Sequence, residues 1–187
     1  MRNKIILVAG HSAAGKSTFA RRLSQKLGIP CFSKDTLREA MGDGFGLDSG
    51  VMQRRGNAEA TINIMMYFAE CFLQVGKTCI LEANFRPPQD DQMKKLLKKY
   101  NTDCLTFLFG GNLDVLWDRY VQREGERHWA HKFPGQNKEL FINGGIKGGY
   151  GEFAIGKTIK IDATDFDIID YDELFYLANL FVTDCTE

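Results

Sequence analysis

The chain has 187 residues, enough for one domain with a sizeable core. Its 24 basic and 24 acidic side chains cancel, which argues against a long nucleic-acid groove or an anionic membrane surface as the main partner but leaves a local patch possible. The five cysteines (Cys31, Cys71, Cys79, Cys104, Cys185) form no C-x-x-C pair or metal-ligand cluster, and no apolar run reaches membrane-spanning length. With no secretory-type leader in the sequence given, the odd cysteine count predicts a reducing, cytoplasmic setting with thiols packed as small hydrophobes.

Taken in order, Lys4–Ala9 is a short apolar, β-branched run that predicts a buried strand. Gly10-His11-Ser12-Ala13-Ala14-Gly15-Lys16-Ser17-Thr18 follows and fits G-x-x-x-x-G-K-[ST], the phosphate-binding P-loop. Glycines and small residues let the backbone turn and aim consecutive N–H groups into one hollow, at the positive end of the next helix. In that pattern Gly10 and Ser12 to Thr18 bind a nucleoside triphosphate, Lys16 reaches the outer phosphates, and the Ser17 hydroxyl ligates Mg²⁺. Thr18–Leu27 has helical period, with Phe19, Leu23 and Leu27 on one face and the arginines off it.

Pro30–Ser33 reads as a short second strand, and Lys34–Met41 as a helix starting at its carboxyl end. Ligands of open α/β sheets bind at that edge, so Asp35 would face the phosphates with Arg38 one turn on. Asp35 can accept the proton of an attacking hydroxyl and Arg38 can pair with an anionic oxygen. The plainer alternative is a helix cap and a solvated arginine. Gly42–Gly50 is read as a mobile glycine-rich loop; its Asp43-Gly44-Phe45-Gly46 spells a D-x-x-G switch pattern with no strand leading into it. Val51–Val75 is a long helix with Ile62, Met65, Met66, Ala69, Phe72 and Leu73 on its apolar face.

Lys77–Glu82 is the third predicted strand. Glu82 and Asn84 stand where such a protein places a second acidic group for metal-bound water or substrate; a buried structural Glu82 reads equally well. A helix over Gln89–Tyr100, a strand over Asp103–Phe109 and a helix over Leu113–Glu124 follow. Arg119, Arg123 and Arg127 share one side if that last helix persists, where they can clamp a transferring phosphoryl group, one of them stacking on adenine. His128-Trp129-Ala130-His131 lacks a third ligand and reads as a packed or lid-lining pair. Asn137-Lys138-Glu139-Leu140 lacks the aspartate of the guanine-reading N-K-x-D. Gly144–Gly151 is read as a second adaptable loop, too glycine-rich for a helix. Lys157–Asp162 is the fifth strand, with Ala163-Thr164-Asp165 placed to close an adenine pocket, and Tyr171–Val182 is a final amphipathic helix. Alternating strands and helices predict one α/β domain over residues 1–187: a three-layer P-loop NTPase fold, with a five-stranded parallel sheet, helices on both faces and a lid over about 123–156.

On the Gly10–Thr18 loop, Lys34-Asp35-Thr36-Leu37-Arg38, Leu81-Glu82-Ala83-Asn84-Phe85 and Arg119-x-x-x-Arg123, the chain resembles the P-loop kinases grouped around polynucleotide kinase, chloramphenicol phosphotransferase and the zeta toxins. The resemblance implies ATP and Mg²⁺ as cofactors, the residue matching Asp35 as general base, that matching Arg38 on an acceptor phosphate, and that matching Arg123 on the transferred phosphate. Glu82 stands where several relatives have aspartate, 127–156 has no counterpart in the polynucleotide enzyme, and no phosphatase half is attached. Those departures point to a small-molecule hydroxyl acceptor. A 5′-hydroxyl polynucleotide or nucleoside kinase is the alternative, and a nucleotide-binding regulatory module the second. Nothing in the sequence fixes the oligomeric state or the acceptor.

Overall fold

A computed structural model describes residues 2–46, 56–132 and 135–184. Five strands, β1 (Asn3–Gly10), β2 (Cys31–Ser33), β3 (Cys79–Glu82), β4 (Thr102–Gly110) and β5 (Lys157–Asp162), form one sheet in the order β2-β3-β1-β4-β5. Every pairing is parallel. Parallel neighbours need crossovers, supplied by helices α1 (Lys16–Leu27), α2 (Lys34–Phe45), α3 (Gly56–Gln74), α4 (Asp90–Lys99), α5 (Leu113–Gln122) and α6 (Lys138–Lys147). A last helix, α7 (Tyr171–Thr183), closes the chain's described part.

β1 is central, which explains why its sequence is apolar without alternation. Ile6 and Val8 face one layer with Phe19, Leu23, Phe107, Phe109 and Phe175. Ile5, Leu7 and Ala9 face the other with Ile62, Met65, Leu81 and Met93. Helices α1, α5 and α7 thus cover one side and α3 and α4 the other. The outer strands differ: β2 has three residues, and β5 exposes Lys157 and Lys160.

The chain leaves β1 for β2 on one side and later crosses to β4 on the other. The order therefore reverses at β1, and the carboxyl end of β1 is the crevice where an open sheet binds ligand. The expected strands and their order in the chain are all present. Two segments differ from expectation. Gly42, Asp43, Gly44 and Phe45 are the last residues of α2 rather than loop. Gly144 and Gly145 lie inside α6, and Asn137 is its N-cap, its side chain accepting from Leu140 N–H at 2.9 Å. In both places packing overrides weak helix propensity: a Cβ on Gly42 would meet the Trp129 ring at 3.0 Å, and one on Gly145 would meet His11 at 3.1 Å. Residues 47–50 of the expected loop and 51–55 of the expected long helix lie outside the described residues.

Phe19 ties α1 to the sheet and to α7. Its ring centroid is 5.0 Å from Phe107, 5.2 Å from Phe109 and 5.5 Å from Phe175, and its exposure is 1 %. Phe19→Ala is expected to cost about 3–5 kcal/mol of unfolding free energy, read from the midpoint of a urea titration.

Candidate active site

The glycine that ends β1 fixes how the following loop starts. Gly10 has φ +121°, and a Cβ there would lie 1.9 Å from the Phe109 carbonyl oxygen. His11 N–H donates to that same oxygen at 3.0 Å. Ala13 (φ 62°) and Gly15 (φ 82°) are also left-handed, so the chain curls back on itself before entering α1. An alanine held there costs roughly 1–2 kcal/mol, a strain typical of functional loops. The curl points its amides inward, at the amino end of α1.

Lys16 is the first residue of α1 and only 6 % exposed. Its Nζ donates to the His11 carbonyl at 2.7 Å. Burial lowers its pKa, while the Glu82 and Asp35 carboxylates support its charge. Glu82, at the end of β3, is 3 % exposed. Burial pushes its carboxyl above the usual value, against Lys16 and against hydrogen bonds from the Ser33 and Ser17 hydroxyls. Ser33 Oγ donates to Glu82 Oε2 at 2.6 Å, and parallel register places the two residues side by side at the ends of β2 and β3.

Asp35 is the second residue of α2, two after Ser33, and lines the same cleft as residues 12–18, Glu82, Asn84, Arg123 and Arg127. Burial alone would raise its pKa, but His131, Lys34, Lys16 and Arg127 more than offset that and hold the carboxyl below its usual range. It faces the cleft as a carboxylate. Asn84 Nδ2 donates to Ser12 Oγ at 2.8 Å and so ties the exit of β3 to the loop.

The three arginines do not share one helix side. α5 ends at Gln122, Arg123 caps it, and Arg127 follows a 3-10 turn over Glu124–Glu126. Arg123 and Arg127 reach the cleft. Arg127 lies 4.7 Å from the Tyr120 ring centroid, and its Nη1 is 3.9 Å from Glu124 Oε2; that nitrogen is buried with no hydrogen-bond acceptor. Arg119 turns the other way. Its guanidinium lies 3.8 Å from the Phe166 ring centroid, with Nη1 donating to the Ala163 carbonyl and Nη2 to the Thr164 carbonyl at 2.7 Å. That is the segment after β5 expected to close a base pocket, and the Phe166 ring also sits beside Gly15. Arg38 does not line the phosphate hollow; its Nε donates to the Ala130 carbonyl at 2.9 Å.

A magnesium ion fits the oxygen donors present. The Ser17 hydroxyl and the Glu82 carboxylate are hard ligands that line the same cleft. Among the described residues no group of three His, Cys, Asp or Glu could hold a metal alone, so such an ion would be shared with phosphates and water.

Sequence reasoning passed over Ser33, His11 and the Arg86–Tyr150 pair. The Ser33 signal lay in its place immediately before Lys34-Asp35, where a second strand must end. His11 is flanked by Gly145, Gly151 and Tyr150, whose ring centroid is 6.0 Å away, and Arg86 Nη2 donates to Tyr150 Oη at 2.8 Å. No local pattern marks those long-range contacts.

Fold and hollow together define a P-loop nucleotide-binding protein. The AAA-domain family matches residues 5–139, and the chain belongs to it. An uncharacterized protein of Mycobacterium tuberculosis (strain H37Rv) is 28 % identical over 130 residues, 65 % of this chain and 26 % of that one; the chain spans about a quarter of the length of the curated relatives it matches. Among solved structures, a protein of Chloroflexus aurantiacus named as a candidate kinase is 26 % identical with a TM-score of 0.82, covering 98 % of both chains. Chaetomium thermophilum Kti12, solved with ADP-AlF3, shares the fold at 16 % identity and a TM-score of 0.69, covering 96 % of this chain and 100 % of its own. Shikimate kinase of Bacteroides thetaiotaomicron does so at 14 % and 0.60, covering 95 % and 97 %. Among the described residues no helix is long and apolar enough to cross a membrane.

The raised pKa of Glu82 carries a stability consequence with a definite sign. A carboxyl that binds its proton more tightly when folded supports the fold below its unfolded pKa and loses that support as pH rises through its folded pKa. Glu82→Gln has no such proton to lose. Its melting temperature is expected to exceed that of the parent at pH 8 and to converge with it toward pH 5, as read in paired thermal scans without nucleotide.

Proposed function

We propose that the protein is an ATP- and Mg²⁺-dependent phosphotransferase that moves the γ-phosphoryl group to a hydroxyl of a small molecule. The observation that carries this reading is a cleft of groups that lack partners suited to them. Lys16 is held by a carbonyl, and Arg127 Nη1 is a buried donor without an acceptor. Both are satisfied by a polyphosphate lying along the loop. Asp35 stands across that hollow as a carboxylate.

In the reaction, the acceptor hydroxyl gives its proton to Asp35 as its oxygen bonds to the γ-phosphorus. The bond from that phosphorus to the β–γ bridging oxygen breaks, and ADP leaves with the electron pair. Lys16, Arg123 and Arg127 stabilise the charge on the transferring group. Ser17 and Glu82 would hold a magnesium ion, which would supply charge neutralisation on the phosphates. Closure of the segment 123–156 excludes water.

The acceptor side is rich in cations. Lys34 is half-buried beside Asp35; burial lowers its pKa, Asp35 and Glu82 support its charge, and Arg86 and Arg38 oppose it. That excess suits an alcohol carrying a carboxylate or phosphate.

A labelled γ-phosphate screen across sugar acids, phosphorylated sugars, neutral alcohols, nucleosides and oligonucleotides tests the reading. Transfer to a small anionic alcohol is expected. Salt-sensitive transfer to an oligonucleotide would favour the polynucleotide alternative, and hydrolysis that no acceptor stimulates would favour a regulatory module. Lys16→Ala is expected to abolish transfer. Asp35→Asn is expected to lower kcat by about 10²–10⁴-fold with nucleotide affinity nearly unchanged. Unchanged turnover in Asp35→Asn rejects its role as base.

A further inference from the structure

Glycine in the interior of a helix costs about 1 kcal/mol against alanine, so Gly42 in α2 calls for a packing reason. The reason is Trp129. A Cβ on Gly42 would lie 3.0 Å from Trp129 Cζ2, 3.2 Å from its Cη2 and 3.3 Å from the Ala130 Cβ. The 3-10 turn over Trp129–His131 is seated on α2 at three further points. Arg38 Nε donates to the Ala130 carbonyl at 2.9 Å. His128 Nε2 is 3.0 Å from Asp43 Oδ1. His131 Nε2 is 3.2 Å from Glu39 Oε1.

Residues 38, 39, 42 and 43 form one stripe along α2, and Asp35 begins the same stripe one turn earlier. The turn that grips the stripe starts two residues after Arg127, with His128 between them as its N-cap. It therefore ties the arginines of the cleft, a few backbone bonds away, to the helix that carries the carboxylate through noncovalent contacts.

We propose that the Trp129–His131 turn is a clip that locks Arg123 and Arg127 in place opposite Asp35, with His128, Trp129 and His131 as positioning residues for the transfer. The inference rests on the phosphotransferase reading and adds how its two halves are held in register. The charges around His131 balance: Asp35 and Glu39 are negative, Arg38 and Arg127 positive, and burial keeps its pKa below the usual value. Its Nε2 is buried and, despite lying close to Glu39, is not aligned for a hydrogen bond. The hold therefore comes from the seat of the indole and the Arg38–Ala130 bond more than from a charged histidine.

The test uses the full chain in a Trp117→Phe background, where Trp129 is the one remaining tryptophan of two. Gly42→Leu fills the seat with a better helix former and touches no residue of the cleft. Three quantities are read: acrylamide quenching of Trp129, kcat for phosphoryl transfer, and the ratio of ATP to ADP affinity. Expected are stronger quenching, kcat lower by about ten-fold or more, and a narrower preference for ATP with ADP affinity unchanged, because only the outermost phosphate loses its arginines. Trp129→Ala, which removes the ring and adds nothing to α2, is expected to give the same kinetic pattern.

Freed Trp129 with unchanged kcat and unchanged ATP preference overturns the proposal, leaving the turn a packing feature. Unchanged quenching in Gly42→Leu also overturns it, because the turn would not be seated there. A parent protein that transfers phosphate to no acceptor removes the phosphotransferase reading instead. The clip is then decided by quenching and the ATP-to-ADP ratio alone.

Discussion

A lysine ammonium withdrawn from water governs this molecule. Lys16 is buried at the mouth of α1 with one carbonyl in direct contact and two carboxylates, Glu82 and Asp35, within electrostatic reach. Taking an ion out of water costs several kcal/mol unless its surroundings are well made. The surroundings here are rigid because the sheet makes them so. At Gly10 only the lack of a side chain lets β1 and β4 lie this close, and the His11 N–H bond to the Phe109 carbonyl ties them there. Glu82 ends β3 in parallel register with Ser33 at the end of β2, and Asp35 follows two residues later in α2. The loop, the sheet ends and the start of α2 are thus one electrostatic unit built around a charge that a phosphate satisfies better than a carbonyl does.

The rest of the cleft follows the same logic. Glu82 is costly to ionise where it lies, and two serine hydroxyls and Lys16 reduce that cost. Arg127 keeps a buried donor unused while its flat face rests on Tyr120. Arg119, by contrast, is already satisfied by two main-chain carbonyls and an aromatic ring. Arg127 thus keeps a donor unused, whereas Arg119 places two on carbonyls. That difference separates the residues poised for an anion from the one that braces the segment after β5.

Much of this was legible in the chain because it is local. The apolar run of β1, the glycines of the loop and the periodic apolar face of α1 sit within 25 residues and admit one reading. The position of Asp35 followed from the same rule once a second strand was placed before it. What was not legible depends on contacts distant in sequence. Gly42–Phe45 and Gly144–Gly145 read as loop because glycine weakens a helix, yet Gly42 faces the Trp129 ring and Gly145 faces His11, both brought from elsewhere in the chain. The arginine spacing of four suggested a shared side, but α5 stops at Gln122 and the chain re-aims Arg127 through a 3-10 turn. The partner of Glu82 escaped notice because strand register, not sequence spacing, brings Ser33 beside it.

The borders of the sheet have a consequence of their own. An open row of unpaired amides and carbonyls invites another chain to add a strand, and both outer rows here are poor hosts. One, β2, is three residues long, and the other, β5, presents Lys157 and Lys160 to solvent. A domain blunted in this way can work at high concentration, or joined to other folded units, without its sheet growing into theirs.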